Sequence, residues 1–250
     1  MSTPNSPVHP LTGQRVVVMG GSSGIGEATA AAFAADGAEV VITGRGQDRL
    51  DAAADRIGGK VSTYRLDAAD RSALDAFFAT CGPVDHLVLA LSGGKGGGPF
   101  AELDLAELAA GFDGKFWPHV QALQAALPAL NHEGSVTLVT AASARAALPG
   151  TAGLAAVNGA LESLVPPLAV ELAPLRINAV SPGVIDTPWW DAVPAEQRRS
   201  LFDGLAATTP VGRVGRPEDI ARSIHLLATN GFVTGVVLEA TGGATLATGR

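Results

Sequence analysis

The fold of this chain is decided by one stretch near its start, Val16-Val17-Val18-Met19-Gly20-Gly21-Ser22-Ser23-Gly24-Ile25-Gly26-Glu27. Its β-branched residues predict a buried strand, its glycines predict a tight turn, and the alanine-rich residues that follow predict a helix. Glycines let a backbone approach a ligand closely, and the N-terminus of a helix attracts an anion. This order of elements predicts a site for the pyrophosphate of a dinucleotide, with a flexible turn as the alternative. We expect the cofactor to contact Gly20, Ser22, Ser23, Gly24, Ile25 and Gly26.

The ends of the next two predicted strands indicate which dinucleotide is bound. The second strand, residues 39–43, ends in Thr43 and is followed by Arg45. An acidic residue at this place would accept a hydrogen bond from the ribose 2′-hydroxyl, whereas an arginine pairs with a 2′-phosphate. The sequence therefore predicts NADP(H), with an ordinary surface arginine as the alternative. Asp67 ends the third strand, residues 61–67, and is expected to accept from the adenine amine, to cap the next helix, or both.

Composition limits the class of protein. The chain has 250 residues, of which 47% are hydrophobic and 16% charged, and this predicts one large domain over residues 11–250 after a disordered tail at 1–10. A net charge of −7 argues against nucleic acid and against a membrane as partners. The only cysteine, Cys81, indicates a reducing, cytoplasmic location. We expect no apolar run of membrane-spanning length, and no Cys/His cluster that predicts a metal site.

Predicted strands and helices alternate along the rest of the chain. This pattern predicts an α/β fold with a single Rossmann-like, doubly wound parallel sheet of about seven strands and helices on both faces. The glycine-rich loop after the fourth strand, residues 92–100, is expected to be mobile. Pro166 and Pro167 predict a kink or a fresh helix start. Further strands are predicted at 84–91, 135–140, 175–180 and 236–238, and helices at 74–78, at 103–130 with an interruption at Pro118, at 151–172 and from Pro217.

Several short motifs occur in the order typical of one known family. In addition to the glycine turn they are Val84-Asp85-His86-Leu87-Val88, Pro99-Phe100, Val170-Glu171-Leu172-Ala173-Pro174, Arg176-Ile177-Asn178, Ser181-Pro182-Gly183, Asp186-Thr187-Pro188, Gly212-Arg213 and Arg216-Pro217-Glu218-Asp219. With these residues the chain resembles the short-chain dehydrogenases/reductases over nearly its whole length. The resemblance implies a bound nicotinamide cofactor, a small-molecule substrate and a homodimer or homotetramer. It also implies cofactor contacts at Ala90, Ser92, Pro182, Gly183 and Thr187.

The chain departs from that family at the positions that the resemblance makes catalytic. Leu154 and Asn158 stand where the family has tyrosine and lysine, and Ala141 stands where it has serine, with Thr140 and Ser143 as polar neighbours. A leucine cannot donate a proton to a carbonyl oxygen during hydride transfer. The only tyrosine, Tyr64, lies on the third predicted strand, at the adenine end.

A further departure indicates replacement of the site and not its decay. Lys115 stands where the family has asparagine, and Asn158 stands where it has lysine. The two residue types have therefore exchanged positions. We interpret Lys115, Asn158 and Ser143 as the polar groups of the site, with the positive charge of Lys115 held by Asn158. The alternative is that Lys115 points into a subunit interface or into solvent. His119, one turn further along the helix, is a weaker candidate for a proton donor.

These residues are compatible with three functions. The first is an NADP(H)-dependent oxidoreductase of atypical short-chain type, whose acceptor could be an iminium or a quinone-like ring because these need no protonation. The second is a non-catalytic cofactor-binding sensor or partner subunit, and the third is a non-redox lyase or cyclase. For the first, an apolar or aromatic substrate is predicted from Trp189, Trp190, Phe112, Leu91 and Leu154, although the tryptophans could instead pack the loop onto its own subunit or a partner.

Overall fold

The structure, a computed structural model, describes residues 10–246. Except for Pro10, the predicted disordered tail lies outside the described residues, as do the last four residues of the predicted domain. Seven parallel strands form one sheet in the order β3-β2-β1-β4-β5-β6-β7. The predicted fold class, a doubly wound parallel α/β sheet, is confirmed.

The elements alternate along the chain as predicted. The strands are β1 Arg15–Met19, β2 Glu39–Gly44, β3 Val61–Arg65, β4 Val84–Leu89, β5 Leu130–Val139, β6 Arg176–Pro182 and β7 Val237–Ala240. The α-helices are α1 Gly24–Ala35, α2 Gln47–Ile57, α3 Arg71–Thr80, α4 Leu105–Gly111, α5 Trp117–Ala126, α6 Ala152–Glu171, α7 Ala195–Thr208 and α8 Pro217–Thr229. A π-helical segment, Phe112–Phe116, joins α4 to α5, and short 3₁₀ helices lie at Phe100–Glu102, Ala142–Ala144 and Pro188–Trp190.

The sheet is covered by helices on both faces because its strands alternate their side chains between two apolar layers. Val17 of β1 belongs to the layer formed with α3, α5 and α6, which contribute side chains such as Phe77 and Leu161. Val16 belongs to the opposite layer, formed with α1, α2 and α8, which contribute side chains such as Phe33. The carboxyl ends of all seven strands therefore meet at one edge, where ligands bind in folds of this type.

Some predicted boundaries are wrong by a few residues. β4 ends at Leu89 and not at residue 91, whereas β6 continues to Pro182, two residues beyond its predicted end at residue 180. Pro182 is tolerated because it is the last residue of its strand, and the next ladder bond to β7 comes from the N–H of Gly183 to the carbonyl of Ala240.

Helix α6 differs from its prediction in two ways. It runs without interruption through Pro166 and Pro167, so the fresh helix start is wrong. Both prolines are exposed, whereas Val165 and Ala169 on either side of them are buried and hold the helix on the sheet. By length and composition alone, helix α6 is apolar enough to cross a membrane, contrary to the expectation that no apolar run reaches that length. Its inner face packs in the core of the sheet.

Candidate active site

The glycine turn after β1 is shaped by steric contacts that only glycine satisfies. Gly20 has a φ of +84°, and a Cβ at this residue would collide with the carbonyl oxygen of Ala90 at the end of β4. A Cβ at Gly26 would collide in the same way with the carbonyl oxygen of Gly20. The turn therefore lies tightly between β4 and the first turn of α1.

The N-terminus of α1 is available to an anion. The helix begins at Gly24, and its N-cap residue Ser23 makes no side-chain capping bond. The first N–H groups of a helix have no intrahelical acceptor, so they remain for a ligand. Glu27 in the first turn pairs with Arg56 of α2, 2.7 Å from carboxylate oxygen to guanidinium nitrogen, which offsets its negative charge. These features fit the pyrophosphate that the sequence predicts.

Arginines gather where β2 and β3 end. Arg45 is exposed just after β2, and its carbonyl oxygen accepts a 3.2 Å hydrogen bond from Nε of Arg65. Arg49 lies against Gly46, and none of these three arginines forms an ion pair with the residues at 10–246. Sequence reasoning missed Arg65. The signal that could have found it is the parallel pairing of β2 with β3, which places Arg65 beside Gly44, next to Arg45. Unpaired guanidinium groups at this place fit a 2′-phosphate.

The remaining predicted cofactor residues lie along the same edge of the sheet. Asp67 is exposed and accepts from the N–H of Ala69 at 3.1 Å, while the capping residue of α3 is Asp70, so the capping role expected for Asp67 is wrong. Thr187 faces the glycine turn, since a Cβ on Gly24 would lie 3.2 Å from its Cβ. The other predicted cofactor residues lie at the ends of β1, β4 and β6. Ser22 lies in the glycine turn after β1 and Ile25 just after it, and Ala90 and Ser92 follow β4. Pro182 ends β6, and Gly183 lies against Thr241.

Lys115 points into the protein. It lies in the π-helical segment, where the N–H of Trp117 bonds to the carbonyl of Phe112, five residues back. Pro118 follows directly and can donate no backbone hydrogen bond, a common cause of such irregularity. The side chain of Lys115 is only 6% exposed, which contradicts the alternative of solvent or a subunit interface.

The amine of Lys115 is held by two acceptors. Its Nζ donates to Oδ1 of Asn158 at 2.8 Å and to the carbonyl oxygen of Thr140 at 3.2 Å. The amide of Asn158 in turn donates to Oγ of Ser143 at 3.2 Å and to the carbonyl oxygen of Leu154 at 2.9 Å. The structure thus brings together the three polar residues named from the sequence. An ammonium has three N–H donors, so one donor of Lys115 has no acceptor among the described residues.

A buried carboxylate lies on the other side of Thr140. Glu162 accepts from Oγ1 of Thr140 and from Nε of Arg145, each at 2.9 Å. Burial lowers the pKa of Lys115 to about 8, and the negative charge of Glu162 opposes that shift. Sequence reasoning missed Glu162 and Arg145. The available signal was the spacing of Glu162 from Asn158, four residues along α6 and thus on the same face of the helix.

His119 has a structural environment. Its Nδ1 lies 2.8 Å from the carbonyl oxygen of Lys115, and its Nε2 lies 3.2 Å from that of Leu89. Burial lowers the pKa of His119 to about 4, so the ring is neutral near pH 7. A neutral ring whose single N–H donates to one of these backbone carbonyls is a poor proton donor, and this agrees with its low rank among the sequence candidates.

The glycine-rich loop after β4 covers these side chains. A Cβ on Gly93 would lie 3.1 Å from Cβ of Lys115, and one on Gly97 would lie 3.7 Å from Cδ1 of Leu154. A Cβ on Gly94 would lie 3.0 Å from the ring of Trp189, so the loop touches Lys115, Leu154 and Trp189 in turn. Its lack of side chains is what allows the backbone to lie this close to the site.

The two tryptophans have different surroundings. Trp190 donates from Nε1 to the carbonyl oxygen of Ile185 at 3.0 Å, and its ring centroid lies 5.6 Å from that of Phe202. It therefore packs the loop onto its own subunit, as the alternative expected. Trp189 is 51% exposed and faces Gly94. Of the two rings, only that of Trp189 lies against the glycine-rich loop that also contacts Lys115.

A cavity of about 750 Å³ lies at the opposite edge of the sheet. Among its lining residues, His86 is held between Oγ of Ser135 and Oε1 of Gln14, each at 2.8 Å, and His225 pairs with Asp36 at 2.7 Å. The residues from 10 to 246 include no cluster of three or more metal-ligating side chains.

Known proteins resemble this chain over nearly its full length. The model of a family described as enoyl-(acyl carrier protein) reductase matches residues 20–245. The cis-4-hydroxycyclohexanecarboxylate dehydrogenase of Sinomonas cyclohexanicum is 32% identical, over 92% of this chain and 95% of that protein. A solved short-chain dehydrogenase/reductase from Serratia marcescens is 30% identical with a TM-score of 0.85, over 95% of this chain and 100% of that chain. A small-chain dehydrogenase solved in complex with NADPH is 29% identical with a TM-score of 0.79, over 93% of this chain and 99% of that chain.

Proposed function

The chain belongs to the short-chain dehydrogenase/reductase family of oxidoreductases, and from this premise we propose that it transfers hydride between NADP(H) and a small apolar or aromatic substrate. The glycine turn and the N-terminus of α1 would hold the pyrophosphate, and Arg45 with Arg65 would hold the 2′-phosphate. Ala90, Ser92, Pro182, Gly183 and Thr187 would border the nicotinamide. The cofactor, when bound, supplies or accepts the hydride.

One observation carries the proposal for the site: a buried ammonium with one unused donor lies beneath the glycine-rich loop, at the carboxyl edge of the sheet. Asn158 and the carbonyl of Thr140 orient Lys115, and its remaining N–H would donate to the oxygen or nitrogen at which charge develops. No tyrosine lies on α6, where Leu154 faces the loop after β4. On this proposal the site is atypical, since a lysine and not a tyrosine would meet the reacting group.

The walls around Lys115 support an apolar substrate. Leu154 and Trp189 both lie under the glycine-rich loop, and neither offers a carboxylate or an amine to a ligand. The relative from Sinomonas cyclohexanicum is named a cis-4-hydroxycyclohexanecarboxylate dehydrogenase, which supports a ring in the substrate although that compound also carries a carboxylate. We propose a ring-containing ketone, imine or quinone as the substrate class, with Lys115 donating a proton to the oxygen or nitrogen on which negative charge develops as hydride arrives.

The test compares Lys115→Ala with Lys95→Ala. Lys95 lies in the loop over the site, is exposed and pairs with Glu107, so it is a matched control for the loss of one amine. Oxidation of NADPH is followed with a panel of ketones, imines and quinones. Loss of a positioned proton donor lowers kcat/KM about 10²–10⁴-fold, and we expect this for Lys115→Ala only. Unchanged kcat/KM in Lys115→Ala would reject the role of Lys115.

Binding measurements with NADPH and NADH separate this function from the others. A wild-type chain that binds neither would reject the proposal as a whole. Binding without turnover across the panel would favour the sensor or partner subunit, and turnover without a change in nicotinamide absorbance would favour a lyase or cyclase.

For the intact protein we propose a homodimer or homotetramer in the cytoplasm. The single cysteine, which is free, supports a reducing compartment. Sedimentation at several protein concentrations tests the assembly, and a monomer at micromolar concentration would contradict it.

A further inference from the structure

We propose that Glu162 is a positioning residue for Lys115: its buried carboxylate, fixed by Thr140 and Arg145, is the counter-charge that keeps the Lys115 amine protonated in the pocket. This inference rests on the proposed function of Lys115. It assigns a role to a side chain that the resemblance to known enzymes leaves without one.

The carboxylate of Glu162 is fixed at both oxygens. Oε1 accepts from Oγ1 of Thr140, and Oε2 accepts from Nε of Arg145. Thr140 links the two charges, since its hydroxyl donates to Glu162 while its carbonyl accepts from Lys115. Arg145 is anchored in turn by Glu239 of β7, at 3.3 Å. The carboxylate therefore cannot move toward solvent without breaking two hydrogen bonds.

The need for a counter-charge follows from burial. Removing an amine from water favours its neutral form, and a nearby carboxylate favours the charged form. The charged or titratable groups that act on Lys115 or pair with Glu162 are Glu162 on α6, His119 on α5 and Arg145 after β5. His119 is neutral near pH 7 and Arg145 is positive, so Glu162 is the group among them that favours the ammonium.

The test is a direct titration of the lysine amines by NMR in the free protein. The chain has three lysines, Lys60, Lys95 and Lys115, so the signal of Lys115 can be assigned by its loss in Lys115→Met. In Glu162→Gln we expect the pKa of Lys115 to fall by about one unit, as when an opposite charge is removed from a buried group. Glu162→Asp keeps the charge and is expected to recover part of that shift. Glu171→Gln, at the exposed end of α6, removes the same charge and is expected to leave the Lys115 signal unchanged.

A second pair of variants tests the link through Thr140. Thr140→Ser keeps the hydroxyl that holds Glu162, whereas Thr140→Val removes it and frees the carboxylate to move toward Arg145. We expect the pKa of Lys115 to fall in Thr140→Val and to keep its wild-type value in Thr140→Ser. If Glu162→Gln does not fold, these two Thr140 variants test the role of Glu162 on their own.

A wild-type pKa of Lys115 in folded Glu162→Gln, or the same pKa in Thr140→Val and Thr140→Ser, would overturn the inference. The titration needs no substrate, so its result is independent of the proposed reaction. A lowered pKa of Lys115 in Glu162→Gln, together with unchanged turnover in Lys115→Ala, would support the role of Glu162 as counter-charge and reject the proposed function.

Discussion

At the scale of single residues, the pKa of Lys115 predicts how turnover depends on pH. Burial lowers this pKa to about 8. The ammonium is the donor form and is present below its pKa, so kcat/KM for reduction is expected to fall as pH rises through about 8. The measurement is a pH profile from 6 to 10 for the wild type and for Lys115→Met. A wild-type profile that stays flat above pH 8, or a Lys115→Met profile with the same alkaline fall, would contradict the assignment.

The second prediction at this scale concerns Arg45 and the choice of cofactor. Removing one charge-assisted hydrogen bond of about 1.5–3 kcal/mol weakens binding about 10- to 100-fold. We expect Arg45→Ala to raise the Kd of NADPH by this factor and to leave the Kd of NADH unchanged. Arg222→Ala, an exposed arginine on α8, is the matched control. Equal losses for both cofactors would show that Arg45 does not distinguish them.

The residues of the candidate site were predictable from the sequence only in part. Lys115 and Asn158 could be named because their types are exchanged between two positions that carry chemistry in a known family. Glu162, Arg145 and Arg65 could not, because their importance arises from contacts across strands and helices that are far apart in the chain. A spacing of four residues places Glu162 on the face of Asn158, but burial and the hydrogen bond to Thr140 are properties of the folded state.

At the scale of elements, the glycine-rich loop after β4 depends on a small residue at the start of α6. A Cβ on Gly153 would collide with the carbonyl oxygen of Gly96. We expect Gly153→Ala to destabilise the protein by about 1–3 kcal/mol through overpacking. In Gly204→Ala on α7 the added methyl group has open space, and a glycine removed from a helix stabilises by about 0.5–1 kcal/mol. Urea unfolding of both variants measures the difference, and equal midpoints would contradict the predicted contact.

Element types were predictable and several boundaries were not. The alternation of strands and helices follows from local composition and hydrophobic pattern, which the sequence shows directly. The uninterrupted passage of α6 through Pro166 was not predictable, because buried neighbours on both sides outweigh the local cost of a proline. The π-helical segment before Pro118 has no sequence pattern of its own, although it is the segment that carries Lys115.

At the scale of the whole molecule, two buried histidines predict loss of stability in acid. Burial lowers the pKa values of His86 and His119 from 6.5 to about 4. The unfolded chain binds these protons below pH 6.5 and the folded chain does not, so stability falls as pH falls from 6.5 to about 4 and then levels off. At about 1.36 kcal/mol per pKa unit, each histidine accounts for at most roughly 3 kcal/mol.

The free energy of unfolding in urea, measured at intervals between pH 7 and pH 4, tests this prediction. In His86→Asn we expect a shallower pH dependence than in the wild type, even if the variant is less stable at pH 7. His132→Asn changes an exposed histidine and is expected to keep the wild-type slope. The same pH dependence of the free energy of unfolding in His86→Asn and in the wild type would show that His86 has the same pKa in the folded and unfolded states.

The exchange of lysine and asparagine has a consequence for how such a site can evolve. Lys115 Nζ lies 2.8 Å from Oδ1 of Asn158, so changing either residue alone to the one that the family has there breaks this hydrogen bond. Asparagine at position 115 alone leaves two amides and no cation. Lysine at position 158 alone places two ammonium groups side by side in a buried pocket. Two mutations with a poor intermediate on either route therefore separate this pair from the pair that the family resemblance implies, and this would favour the persistence of Lys115 and Asn158 even if the substrate changed.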